Sequence, residues 1–79
     1  MTTARERLRL FITDTFFVDD FGDSDSFLRT RIIDSTGMME LVAFLETDFQ
    51  VKVADAELLP ENLDSVENLV GFLKKKGVQ

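Results

Sequence analysis

Two kinds of side chain in this sequence carry usable chemistry: carboxylates gathered between Asp19 and Asp25, and serines that directly follow an aspartate. The carboxylates, interleaved with Gly22, Ser24 and Ser26, offer the hard oxygen donors that calcium prefers. Their spacing fails the calcium-loop pattern. Counting from Asp23 puts Phe27 and Leu28 where an oxygen ligand and a glycine are needed, and counting from Asp19 puts Phe21 at a ligand position. No resident metal is expected. Paired carboxylates also serve acid–base chemistry, but with 15 acidic residues in so short a chain, chance pairs are unavoidable and imply no cleft. Cysteine and histidine are absent, which removes thiol nucleophiles, Cys/His zinc sites and Ser-His-Asp arrangements. The chain is expected to catalyse nothing itself.

Asp-Ser occurs four times, at Asp23-Ser24, Asp25-Ser26, Asp34-Ser35 and Asp64-Ser65, so the dipeptide alone selects nothing. Both residues are ordinary helix N-caps, and for Asp64-Ser65 that role suffices. Ser35 differs in context. Ile32 and Ile33 anchor a long loop that delivers it to the head of the longest amphipathic segment, and Gly37 is expected to leave space beside it. An exposed hydroxyl there sits at the positive end of a helix, which favours an anionic group, including a phosphate ester on that hydroxyl. With no base to activate it, Ser35 suits a modification site better than a nucleophile.

The elements that must position Ser35 follow from the apolar spacing. Leu8, Phe11, Ile12 and Phe16 share one face of a helix from Arg5 to Phe17, with Arg5, Arg7 and Arg9 on its wet side. Between Val18 and Asp34, local hydrogen-bonding residues dissolve the pattern into a long loop with one helical turn near Phe27 to Arg29; Phe21, Phe27, Ile32 and Ile33 should pin it to the core. Met38, Leu41, Val42, Leu45 and Phe49 form the stripe of a second helix beginning after Asp34-Ser35. An extended stretch, Gln50 to Val53, follows, anchored by Val51 and Val53, and then a short helical turn from Asp55 to Leu59, ended by Pro60. A last helix opens at Asp64 or Ser65, where Asp64 with Glu67 suggests a capping box. It should bury Val66, Leu69, Val70 and Leu73, with Lys74 to Lys76 at its negative end and Gly77 as a stop. The prediction is an all-α fold: a four-helix bundle of three main helices and one short one, forming a single domain over residues 1–79.

Apolar residues make up 44% of the chain, including eight Phe and no Trp or Tyr, too hydrophobic for a disordered acidic tail. Nine basic against 15 acidic residues leave a net charge of −6. That field repels nucleic-acid phosphates and anionic lipid heads, so neither nucleic acid nor membrane is an expected partner, while basic protein surfaces are. The longest apolar run, Leu41 to Leu45, is too short to span a bilayer; a cytoplasmic monomer is expected.

The run Ile32-Ile33-Asp34-Ser35-Thr36-Gly37-Met38-Met39-Glu40-Leu41-Val42-Ala43-Phe44-Leu45-Glu46, ending in Phe49 and followed by Val51 and Val53, resembles the acyl carrier protein family, including its peptidyl and D-alanyl carrier relatives, across about Leu8 to Leu73. The resemblance implies an acyl-carrier-like bundle in which Ser35 bears a covalent 4'-phosphopantetheine arm. The arm would be installed from coenzyme A by a magnesium-dependent phosphopantetheinyl transferase that Asp34 helps to recognise. The arm's thiol would hold an acyl or aminoacyl group as a thioester for the enzymes of fatty acid, polyketide or related biosynthesis. The second helix would be the docking surface for acyl- or aminoacyl-loading and processing enzymes with basic surfaces. With its apolar stripe buried, Thr36, Met39, Glu40, Ala43, Glu46 and Thr47 face outward, and Met39 among acids suits a basic, partly apolar groove. Thr36 and Gly37 depart from the large apolar residue and acid of many fatty-acid carriers, and glycine two places after the serine is similar to D-alanyl carriers. Ala54 stands where fatty-acid carriers often have proline. An acyl cargo would insert near Met38, Leu45, Phe49 and the loop phenylalanines; an aminoacyl cargo would stay in solvent. The alternative from another class is an unmodified acidic helical interaction module that uses Ser35 only as a cap.

Overall fold

Helix α1 spans Ala4–Phe16 and starts where Thr3 and Glu6 cap each other: the Glu6 amide donates to Thr3 Oγ1 at 3.2 Å and the Thr3 amide to Glu6 Oε1 at 3.3 Å. The computed structural model describes residues 3–18 and 20–78, so Asp19 of the acidic loop lies outside the described residues. On the inner face of α1, Leu8 and Ile12 are wholly buried, while Phe11 and Phe16 pack at its edge. The helix ends one residue earlier than the spacing predicts, because Phe17 turns into the left-handed region at φ 58° and leaves its ring 89% exposed.

Helix α2 spans Ser35–Asp48 and buries Leu41, Val42 and Leu45; Met38 and Phe49, the two ends of the expected stripe, are half-buried against the same core. Gln50, expected to open an extended stretch, instead turns into the left-handed region at φ 55°; beyond it Val51 and Val53 lean on the core, and no strand forms among the described residues. A 3-10 turn follows at Asp55–Glu57, then α3 at Pro60–Leu63. Pro60 therefore opens a helix rather than ending one: at the first helical position its missing N–H has no bond to lose. Helix α4 spans Val66–Lys75. Its cap is Ser65, whose Oγ accepts from the Asn68 amide at 3.0 Å. The expected Asp64–Glu67 capping box does not form, because Asp64 is drawn to the loop and Glu67 to Arg5. Val70 is only half-buried, and Phe72 takes the core position instead, beside Val66, Leu69 and Leu73. Gly77, at φ 90°, closes the helix as its spacing suggested. The result is an all-α bundle of three main helices and one short one. Among the described residues no helix is long and apolar enough to cross a membrane.

The long connection between α1 and α2 is tied to the bundle at several points. Phe21, Phe27 and Ile33 are buried and Ile32 lies against the core, as the sequence suggested. A helical-type turn spans Phe27 to Arg31, with the Thr30 amide donating to Ser26 O. The arginines on α1 are not simply solvated. Arg5 pairs with Asp23 and Glu67, Arg9 with Asp23 and the Phe21 carbonyl, and Arg7 with Asp48, while Arg7 and Arg9 also lie over the rings of Phe49 and Phe21. Asp23 thus bridges two turns of α1, and its carbonyl accepts from the Glu67 amide of α4 at 2.9 Å.

Desolvation is the largest single influence on the Asp23 carboxyl and pushes its pKa up, but the hydrogen bonds from Arg5 and Arg9, aided by their charges, together hold it below the usual carboxylate range. Glu67 is lowered too, chiefly by its hydrogen bond from Arg5. A carboxylate with a depressed native pKa contributes stability that is fully present above its unfolded value, near about 4. That contribution is lost as pH falls through the native value. Asp23→Asn should therefore lower the melting temperature by a few degrees at neutral pH and flatten the loss of stability on acidification. Thermal denaturation of both proteins across this range checks it; parallel pH profiles would show the clamp to be inert.

Candidate functional site

The head of α2 is built by a division of labour between two adjacent residues. Asp34 is extended, at φ −92° and ψ −173°, and its Oδ1 accepts from the Gly37 amide at 2.7 Å while its carbonyl accepts from Met38 at 2.8 Å. Ser35 is the first helical residue. Its side chain is exposed, and among the described residues Ser35 Oγ takes part in no hydrogen bond. The hydroxyl is consequently free of the capping role that the simplest account of an Asp-Ser pair assigns to it. The amides of Ser35 and Thr36 precede the first internal helical bond, so the dipole and these donors make the surroundings of Oγ favourable to an anion.

Gly37 does not leave space beside Ser35, as its small size suggested. It is buried, and a Cβ there would lie 2.6 Å from Phe16 Cε1 and 3.1 Å from Ile33 Cγ2. The end of α1 and the residue that closes the loop meet over this glycine, which sets where α2 begins. Phe16 in turn stands edge-on to Phe11 at 6.1 Å between ring centroids, and Phe11 stacks on Phe44 at 4.0 Å, so the ring is held on its far side by α2 itself.

Beside Ser35 lies an apolar cavity of about 220 Å³, lined by Leu28, Met38, Met39, Leu58, Leu59, Pro60 and Leu63. Its rim is open: Leu28, Met39, Leu58 and Leu59 are all exposed. This is not the cavity the sequence suggested. Of the residues expected to receive an acyl chain only Met38 lines it, because Leu45 and Phe27 are fully buried in the core and Phe49 packs edge-on against Phe44. The lining contributed by the loop and by 58–63 was missed, although Leu58-Leu59 just ahead of Pro60 is an apolar pair with no helical stripe to join.

The outward residues of α2 fall where the periodicity put them: Thr36, Met39, Glu40, Ala43, Glu46 and Thr47 are exposed, Met39 at 59%. Glu46 is partly engaged, accepting from the Val53 amide at 3.1 Å. In the acidic loop, Asp23 is held by the two arginines and Asp25 accepts from the Gly22 amide at 2.8 Å. Among the described residues no three acidic side chains converge to hold a metal ion. No protein-family model matches this chain, and no curated protein matches it.

Four substitutions probe the head of α2. Asp34→Ala should cost about 1 kcal/mol in chemical denaturation, the typical loss of a cap. Ser35→Ala, with no bond to lose, should stay within about 0.5 kcal/mol of wild type. Gly37→Ala should lose about 1 kcal/mol net, since overpacking of roughly 1–3 kcal/mol outweighs the helical propensity gained. Phe16→Leu should recover most of that in the double variant, whereas additive losses would mean that ring and glycine do not collide.

Proposed function

We propose that this chain is a carrier protein of the acyl carrier type, with a 4'-phosphopantetheine arm on Ser35, presenting acyl intermediates to partner enzymes and catalysing nothing itself. One observation carries the proposal: at the mouth of an apolar cavity stands an exposed serine hydroxyl with no structural bond, because the neighbouring aspartate does the capping. The group fits the residues present. The Ser35 hydroxyl is accessible to a transferase, the free amides of the first turn and the helix dipole favour a phosphodiester there, and the cavity offers apolar shelter within reach of the same atom. Attached there, the arm supplies the thiol that the chain, lacking cysteine, does not have.

Asp34 holds the first turn through one carboxylate oxygen and leaves the other for a transferase to read. Thr36, Met39, Glu40, Ala43, Glu46 and Thr47 present a face that is acidic around one exposed methionine, complementary to a loading or processing enzyme with a basic, partly apolar surface. Among cargoes, the cavity favours an acyl chain over an aminoacyl group, whose ammonium is expensive to bury among Leu, Met and Pro side chains. Gly37 no longer speaks for a D-alanyl-type carrier, because packing against Phe16 accounts for it. A second role, as an unmodified acidic module docking a basic partner through α2, is favoured by the exposure of Met39 beside Glu40.

Incubation of the purified chain with coenzyme A, magnesium and a broad-specificity phosphopantetheinyl transferase separates the two. Intact mass should rise by one arm in wild type and not in Ser35→Ala. No rise, under conditions that load a control carrier, would favour the unmodified module. A rise that survives in Ser35→Ala would refute the site.

A further inference from the structure

The cavity beside Ser35 has three walls, and they are not equally fixed. The wall formed by residues 58–63 is braced at several points: Asn68 Nδ2 of α4 donates to Pro60 O at 3.2 Å, Asn62 Nδ2 donates to Glu57 O at 3.0 Å just ahead of the wall, and Lys76 Nζ, one residue past α4, pairs with Glu57 at 2.7 Å. The loop wall is Leu28, and one residue ties it to the first wall. Asp64, directly after Leu63, accepts from the Leu28 amide at 3.0 Å through Oδ1, from Ser26 Oγ through Oδ2, and from the Phe27 amide at 2.8 Å through its carbonyl. The third wall, Met38 and Met39 of α2, faces these across the cavity; among the described residues no hydrogen bond joins residues 35–39 to residues 55–63.

We infer that Asp64 is a positioning residue that limits the size of the apolar group this cavity accepts, by clasping Leu28 to the end of α3. That the group is the cargo of an arm on Ser35 rests on the carrier function proposed above; the clasp itself does not. An apolar cavity of roughly 150 Å³ holds a benzene ring. One of about 220 Å³ therefore suits an unbranched chain of about six to eight carbons. With Oδ2 of Asp64 taken by Ser26 Oγ and Oδ1 by the Leu28 amide two residues on, the backbone that carries Leu28 is held against the outward movement that would admit a longer chain. Without them the turn keeps the Phe27 amide's bond to the Asp64 carbonyl and the burial of Phe27 and Ile33, but nothing outside the loop holds the Leu28 amide.

The test uses the unmodified chain and a series of primary alcohols from 1-butanol to 1-decanol, with binding followed by NMR shifts of the Leu28, Met38, Met39 and Leu63 methyl groups. In wild type, affinity should rise about fourfold per added methylene. The rise should stop at about six to eight carbons, where the cavity is full. Asp64→Ala should move this break upward by about two carbons, with little change for 1-butanol, and Ser26→Ala, which removes one arm of the clasp, by about one. A general loss of stability would weaken all the alcohols alike rather than move the break. An unmoved break in folded Asp64→Ala overturns the inference; should that variant not fold, an unmoved break in Ser26→Ala does so. Failure of every alcohol to shift the four methyl groups in wild type also overturns it. None of these results touches arm attachment, which the mass of the Ser35 product decides separately: a moved break in a chain that never loads leaves the clasp standing and removes the carrier function.

Discussion

Among its described residues the connection between α1 and α2 makes no helix and no strand, so its buried side chains rely on partners outside it. Two aspartates at opposite ends of its tether do this. Asp23 reaches back to Arg5 and Arg9 on α1 and sets its carbonyl against α4, while Asp64 reaches out from the α3–α4 junction to the backbone and hydroxyl of 26–28. Phe21, Phe27 and Ile33 of the same connection lie in the core. The bonds from Asp64 hold the segment that carries Leu28, one wall of the cavity beside Ser35.

With the loop in place, the site needs few further devices. Ile33 and Phe16 converge on Gly37 and leave room for no side chain, which fixes the first turn of α2 in depth. Asp34 takes the Gly37 amide of that turn as its cap, so the next residue has no capping duty. A hydroxyl released from packing and capping, in the field of a helix N-terminus, costs the fold nothing to modify. Glu40 and Glu46 add negative charge to the outward side of α2, in a chain whose net charge is −6.

What the sequence disclosed and what it hid divide along physical lines. Apolar spacing located the three main helices, because 3.6-residue periodicity is imposed by burial and survives without knowledge of the neighbours. It also identified Phe21, Phe27 and Ile33 as loop anchors and Asp34-Ser35 as the head of α2. Polar partners across long separations were illegible: the spacing that made Asp64 and Glu67 look like a capping box says nothing of Ser26, Leu28 or Arg5, which claim them in space. Gly37 was misjudged for the same reason. A missing side chain signals either open room or a close neighbour, and only the position of Phe16 decides which. Pro60 is equally ambiguous in the sequence, since its fixed φ ends one helix or starts the next, and here it opens α3.

Everything proposed for the head of α2 depends on modification of Ser35. That modification is tested most directly by isolating the protein from cells that produce it naturally and fragmenting the peptide that contains Ser35 in a tandem mass spectrometer. The account predicts a phosphopantetheine group, free or acylated, localised to Ser35. A Ser35 peptide that is unmodified throughout, or an arm localised to Ser24, Ser26 or Ser65, would contradict it.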